Sequence, residues 1–184
     1  GQSGAGECVV DDEARLKVFE FRMALLDEQL VEEWLNRQNF FTMRGIKCGV
    51  DEIDLLAIRP LSAGFECWHV EVQISYRPVG YIGGDTNARR RTPEELRAGV
   101  AQWVEKKFTG QRKIQRRNEI LPDAQWRNFL VHAVLKDDAE LPLMKAAGVE
   151  LISYRQVLND LCNDRTSKSS SAASGIIEML NYLK

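Results

Sequence analysis

The sequence has little of what staples or metallates a small domain. Its four cysteines, Cys8, Cys48, Cys67 and Cys162, lie far apart with no C-x-x-C pair, and His69 and His132 are its two histidines. That spacing supports no structural zinc site and calls for no disulfide, so free thiols in a reducing compartment are the expectation. Long apolar runs are missing as well. None approaches the ~20 residues of a membrane span, and no charged segment precedes a signal-like core. A soluble cytoplasmic protein with no membrane partner is expected. No internal repeat is evident. At 184 residues the chain can bury roughly two-thirds of its unfolded surface as one domain without covalent help.

What the chain does have is charge, unevenly spread. The net charge of -2 conceals a basic and an acidic block. Between Thr86 and Asn118 ten lysines and arginines face Glu94, Glu95 and Glu105, a surplus of seven positive charges. Between Glu7 and Glu33 nine acids face Arg15, Lys17 and Arg22, a surplus of six negative charges. A polyanion can approach the first block and not the second.

Hydrophobic periodicity supplies the elements. Phe19, Met23, Leu26, Leu30 and Trp34 recur at helical steps and predict a helix over Arg15 to Asn39, on which Glu28, Val31 and Leu35 share a face. Strands follow over Phe40 to Lys47, Glu52 to Arg59 and Glu66 to Ser75, with Gly49, Pro60 and Gly64 as breaks. In the third strand Trp68, Val70, Val72 and Ile74 face one way and Cys67, His69, Glu71 and Gln73 the other. Thr92-Pro93-Glu94-Glu95 reads as a capping box opening a helix that presents Leu96, Val100, Trp103 and Val104 inward. A strand over Asn128 to Leu135, a helix over Asp138 to Ala147 and a strand over Val149 to Ser153 predict a parallel pair. A helix over Tyr154 to Cys162 closes the domain. The expected fold is α/β, a mixed sheet flanked by helices in the order αβββαβαβ. Residues 1–14 read as a flexible terminus, 15–165 as the domain, 166–174 as a Ser-rich linker and 175–184 as a final helix.

The chemistry is concentrated on two neighbouring strands. Asp54 interrupts the apolar run Ile53-Asp54-Leu55-Leu56, and Glu71 and Gln73 share one face of the next strand. Two ionised carboxylates about 4 Å apart repel by roughly 4 kcal/mol at an effective dielectric near 20. At about 1.4 kcal/mol per pKa unit, that repulsion protonates one of them unless a cation intervenes. Oxygen ligands with room for several waters suit Mg²⁺.

On these residues the chain resembles the PD-(D/E)XK nuclease superfamily, the restriction-endonuclease-like fold, in its Holliday-junction-resolvase-like and very-short-patch-like variety. The resemblance runs from Asp27 to Ser153. Glu28 falls where those proteins carry an acid on the first helix, followed here by Val31 and Trp34-Leu35. Asp54, in Glu52-Ile53-Asp54-Leu55-Leu56, matches the strand aspartate, and Glu71 the second acid. Gln73 stands in the place of the usual lysine, where some active members carry Gln or Glu. The resemblance implies a restriction-endonuclease-like core. It also implies that Asp54 and Glu71, with the main-chain carbonyl of Val72, hold Mg²⁺ or Mn²⁺ for hydrolysis of DNA, with Gln73 positioning water and Glu28 completing the catalytic set. Lys47, ending the first strand, is a candidate for the missing cation.

Arg89, Arg90, Arg91, Lys106, Lys107, Arg112, Lys113, Arg116 and Arg117 would then seat a DNA backbone, a salt-dependent attraction without base readout. A homodimer would suit cutting of both strands. Other readings stand beside this one. The acids can be half-exposed charges at a sheet edge, and the basic block a solvated helix face. The domain can be a catalytically silent nucleic-acid-binding module. It can also be a protein-interaction scaffold that presents Ile176, Ile177, Leu180 and Leu183.

Overall fold

Apolar residues at helical spacing set the first element, α1 (Asp12–Arg37), whose Leu30, Val31, Trp34 and Leu35 are buried. The computed structural model describes residues 12–74, 92–133, 139–164 and 171–182. The side chains of Phe19, Met23 and Leu180 lie outside the described residues, as do Arg89, Arg90, Arg91 and Leu183. Three strands follow, β1 (Phe41–Cys48), β2 (Asp51–Pro60) and β3 (Phe65–Gln73). Gly49, at φ +73°, makes the turn between the first two in a conformation that only glycine adopts cheaply.

The helix expected after Thr92 is present and capped as the sequence indicates. Thr92 Oγ1 accepts from the Glu95 N–H and the Glu95 carboxylate accepts from the Thr92 N–H, starting α2 (Pro93–Val104). What continues it is not one regular helix. Glu105–Thr109 widens into a π turn, closed by a bond from the Gly110 N–H to the Glu105 carbonyl, and α3 (Gln111–Ile120) restarts beyond it. β4 (Trp126–His132), α4 (Glu140–Ala146), β5 (Val149–Ser153), α5 (Tyr154–Asn163) and α6 (Ala172–Tyr182) complete the chain.

The five strands form one sheet in sequential order, β1 and β3 antiparallel to β2, and β3, β4 and β5 mutually parallel. The predicted parallel pair is therefore β4 and β5, and the fold is α/β with helices on both sides of a mixed sheet. β4 begins two residues before the expected start because Trp126 still pairs with Cys67.

Strand parity divides the core as expected. Leu55, Ala57, Trp68, Val70, Phe129, Val131 and Ile152 pack against α1, α5 and α6. On the other side Val100, Val104 and Phe108 meet Leu130, Met144 and Val149. Burying side chains of this size contributes about 1.5–3 kcal/mol each. α6 starts at Ala172, inside the stretch expected as linker, and buries Ile177 against the α1 core. The expectation that Ile177 faces a partner is thereby corrected: its side chain is used internally. Among the described residues no helix is long and apolar enough to cross a membrane.

Candidate active site

The β2–β3 register pairs Leu55 with Val70, so one step further Asp54 comes opposite Glu71 on the same face. Asp54 Oδ2 accepts a 2.8 Å hydrogen bond from the Val72 N–H, tying its carboxylate across the ladder. Burial, and next the Glu71 charge, push the Asp54 pKa up to about 6, against the pull of Lys107 and the Val72 N–H. α1 brings in Glu28 from the edge. Burial and then Asp54 push its pKa up to about 7, with Arg44 of β1 opposing the rise. Three carboxylates thus share one electrostatic neighbourhood, and burial first, then mutual repulsion, raises two of them toward neutrality.

Glu71 is the best-sealed of the three, at 1 % exposure. An ionised carboxylate there needs partners, and three nitrogens supply them. Lys107 Nζ lies 2.5 Å from Oε2, while Lys113 Nζ at 3.3 Å and His69 Nε2 at 3.0 Å meet Oε1. Lys113 also donates to the Glu52 carbonyl at 2.6 Å. Burial works against the charge on Lys107, but Glu71 and Asp54 outweigh it and raise its pKa. Phe108, fully buried against the His69 ring at a centroid distance of 4.8 Å, anchors the π turn that carries Lys107.

A second layer orders the first. Arg117 of α3 donates to His69 Nδ1 and to Asn128 Oδ1, each at 3.2 Å. An arginine has only donors, so Nδ1 accepts, the imidazole proton sits on Nε2, and His69 donates to Glu71. Burial, followed by the charges of Arg117 and Lys113, depresses the His69 pKa well below the usual value and keeps the ring neutral.

The predicted residues are distributed as follows. Asp54, Glu71 and Val72 are adjacent, and Glu28 lies within reach of the Asp54 charge. Gln73 is half-buried two residues beyond Glu71, opposite His132 of β4. Lys47 does not join them: it is exposed and pairs with Glu52. Lys107 brings the positive charge instead. Of the basic block, Lys106, Arg112 and Arg116 are exposed, whereas Lys113 and Arg117 are buried at 3 % and 7 % exposure and spent on internal partners. Among the described residues no group of three or more His, Cys, Asp and Glu side chains converges closely enough to hold a metal ion in this arrangement.

The sequence places His69 on the face of Glu71 without a role, and it gives Lys113 and Arg117 an outward one. The signal was present. α3 reads Gln-Arg-Lys-Ile-Gln-Arg-Arg-Asn-Glu-Ile, with no apolar stripe to bury, so the face it turns inward has to meet polar groups.

Neither a protein-family model nor a curated protein matches the sequence. Among solved structures the chain is similar to AF1548, a protein of unknown function known from a crystal structure, with 11 % identity over 79 % of this chain and 73 % of that one and a TM-score of 0.44. A likeness that distant transfers no residue role.

Proposed function

We propose that the protein is a metal-dependent nuclease that hydrolyses DNA phosphodiester bonds. Asp54, Glu71 and the Val72 carbonyl are the ligand set for Mg²⁺ or Mn²⁺, with Glu28 and Gln73 alongside. The observation that carries this reading is the seating of Asp54 and Glu71 side by side on one sheet face, braced by a lysine from another element. The donors are all hard oxygens with no thiolate among them, which suits these cations. Crowded carboxylates that resist ionisation near neutral pH are also what a divalent charge would relieve.

When bound, such an ion would lower the pKa of a water so that it yields hydroxide near neutral pH, and would offset charge on the phosphoryl oxygens. The chain's own residues do the rest. The Val72 N–H fixes Asp54, and His69 and Lys113 hold Oε1 of Glu71 so that the carboxylate cannot rotate away. Lys107, whose Nζ donates to Oε2 of Glu71, would offer its ammonium to negative phosphoryl charge, the part that Gln73, an uncharged amide, cannot play. The exposed Lys106, Arg112 and Arg116 are the side chains offered to the DNA backbone, and the setting proposed is cytoplasmic.

Incubation with plasmid and branched DNA in Mg²⁺ or Mn²⁺ tests the proposal. Nicking that disappears in Asp54→Ala is expected. Nicking that survives this change removes the mechanism. One observation favours a second reading: both Glu71 oxygens already have cationic or imidazole partners, as in a domain that binds nucleic acid without cutting. Salt-sensitive DNA binding with no nicking in either metal would establish that alternative.

A further inference from the structure

Behind Lys113 the molecule opens into a cleft of about 730 Å³, bounded by α2, the π turn, α3 and the start of β2. Its lining is chemically mixed. Trp103 supplies an aromatic wall, Gln102 and Gln111 supply amides, and Lys106 and Arg112 are cations. Asp51 and Glu105 add two carboxylates. A surface that met only phosphates would be uniformly cationic. Amides and carboxylates set around an indole are instead the groups that pair with the edge of a heterocycle, and the cavity lies in the range of small-ligand pockets.

The groups are also available. Among the described residues no hydrogen bond or ion pair engages the Trp103 indole N–H or the side chains of Lys106, Arg112, Gln102 and Gln111, and none of these is a sealed, unpartnered polar atom. Lys113 forms a common wall. It lines the cleft and donates to Glu71, so a strand whose phosphate reached the carboxylates would pass the cleft with an adjoining nucleotide.

We infer that this cleft receives one unpaired nucleotide of the substrate strand, its base stacked on Trp103 and its edge read by Gln102, Gln111 and Asp51, with Lys106 and Arg112 on the flanking phosphates. The inference rests on the nuclease reading and narrows the substrate class to DNA with single-stranded character at the site of cleavage. Single-strand binders combine aromatic platforms with basic grooves in this way.

The test is binding by the full chain in EDTA, with a labelled oligothymidylate and the same strand annealed to oligoadenylate. Trp34 and Trp68 are buried, and Trp103 and Trp126 are both half-buried, so the part of the quench that Trp103→Leu removes is the signal of the cleft. The single strand is expected to bind more tightly than the duplex and to quench the emission. Trp103→Leu should abolish the quench and weaken binding by about 5-fold or more. Gln102→Ala combined with Gln111→Ala, both exposed side chains, should weaken it as well and guards against a fold effect of the Trp103 change. Equal affinity for duplex and single strand, or unchanged affinity in both variants, overturns the inference. No metal is present, so the two proposals fail separately. Normal binding by the cleft variants alongside Asp54-dependent nicking overturns the cleft alone. Cleft-dependent binding without any Asp54-dependent nicking overturns the nuclease alone.

Discussion

Nζ of Lys107 in the π turn stands 2.5 Å from Oε2 of Glu71 in β3, while Lys47, on the strand next to Asp54, is turned to Glu52. The cation that Gln73 does not provide therefore arrives from a helical element packed over the sheet. Lys107→Gln keeps most of the length of the side chain and removes its charge. It is expected to lower metal-dependent nicking by about 10²- to 10³-fold, with Lys47→Gln leaving the rate unchanged. Plasmid-nicking rates of the two variants decide the matter, and equal effects would show that neither lysine has a special place.

The carboxylates give metal-free stability a definite pH dependence. Burial and mutual repulsion raise Glu28 from 4.5 to about 7 and Asp54 from 3.8 to about 6. Between those limits the native state holds more protons than the unfolded chain, so unfolding free energy falls as pH rises. Their contribution is fully present below about pH 4 and is lost by about pH 7. Asp54→Asn keeps an oxygen for the Val72 N–H and removes the ionisation. Relative to wild type it should gain about 1–3 kcal/mol between about pH 4 and pH 8. Urea unfolding in EDTA measures this, and a parallel pair of curves would contradict the assigned environment.

Thr92 starts the helix that leads into the π turn, and its side chain and that of Glu95 each satisfy an N–H of the first turn. Thr92→Ala should cost about 1 kcal/mol, with Thr92→Ser near neutral. Thermal unfolding of the two variants tests it. A loss of the same size in both would show that the methyl group, not the cap, matters.

Period and punctuation made most of the fold legible. The alternation in β3 separated Trp68 and Val70 from His69 and Glu71, and the structure buries the first pair against α1 and turns the second toward the π turn and α3. Capping chemistry marked Thr92, and the short link from β4 to β5 marked their parallel pairing. The adjacency of Asp54 and Glu71 was legible for the same reason, since consecutive antiparallel strands fix which residues face each other. The surroundings of Glu71 were not legible. Lys107 lies 36 residues away and Lys113 lies 42 away, and a run of cations looks the same in sequence whether it faces water or a buried acid. The π turn carries no composition cue, and the inward turn of Arg117 follows from its tertiary partners, His69 on β3 and Asn128 on β4, not from local propensity.

His69 and Arg117 form the last testable pair. Arg117 reaches Nδ1, which leaves the Nε2 proton for Glu71, and the ring itself is fully buried. His69→Phe keeps the flat side chain and removes both contacts, so Glu71 loses a donor and Arg117 keeps only Asn128 as an acceptor. Stranding buried charges in this way should cost about 2–4 kcal/mol. Arg117→Met in the same background removes the stranded cation, and the double variant should be less unstable than the two single losses combined. The ring also titrates in the opposite sense to Asp54. Its pKa is depressed by burial and by Arg117, so its contribution is present above the unfolded value of 6.5 and is lost as pH falls below it. Urea unfolding across that window should show the wild type losing stability toward acid faster than His69→Phe. A wild type and variant that run parallel there, with additive losses in the double variant, would mean that Glu71 is oriented by the two lysines alone.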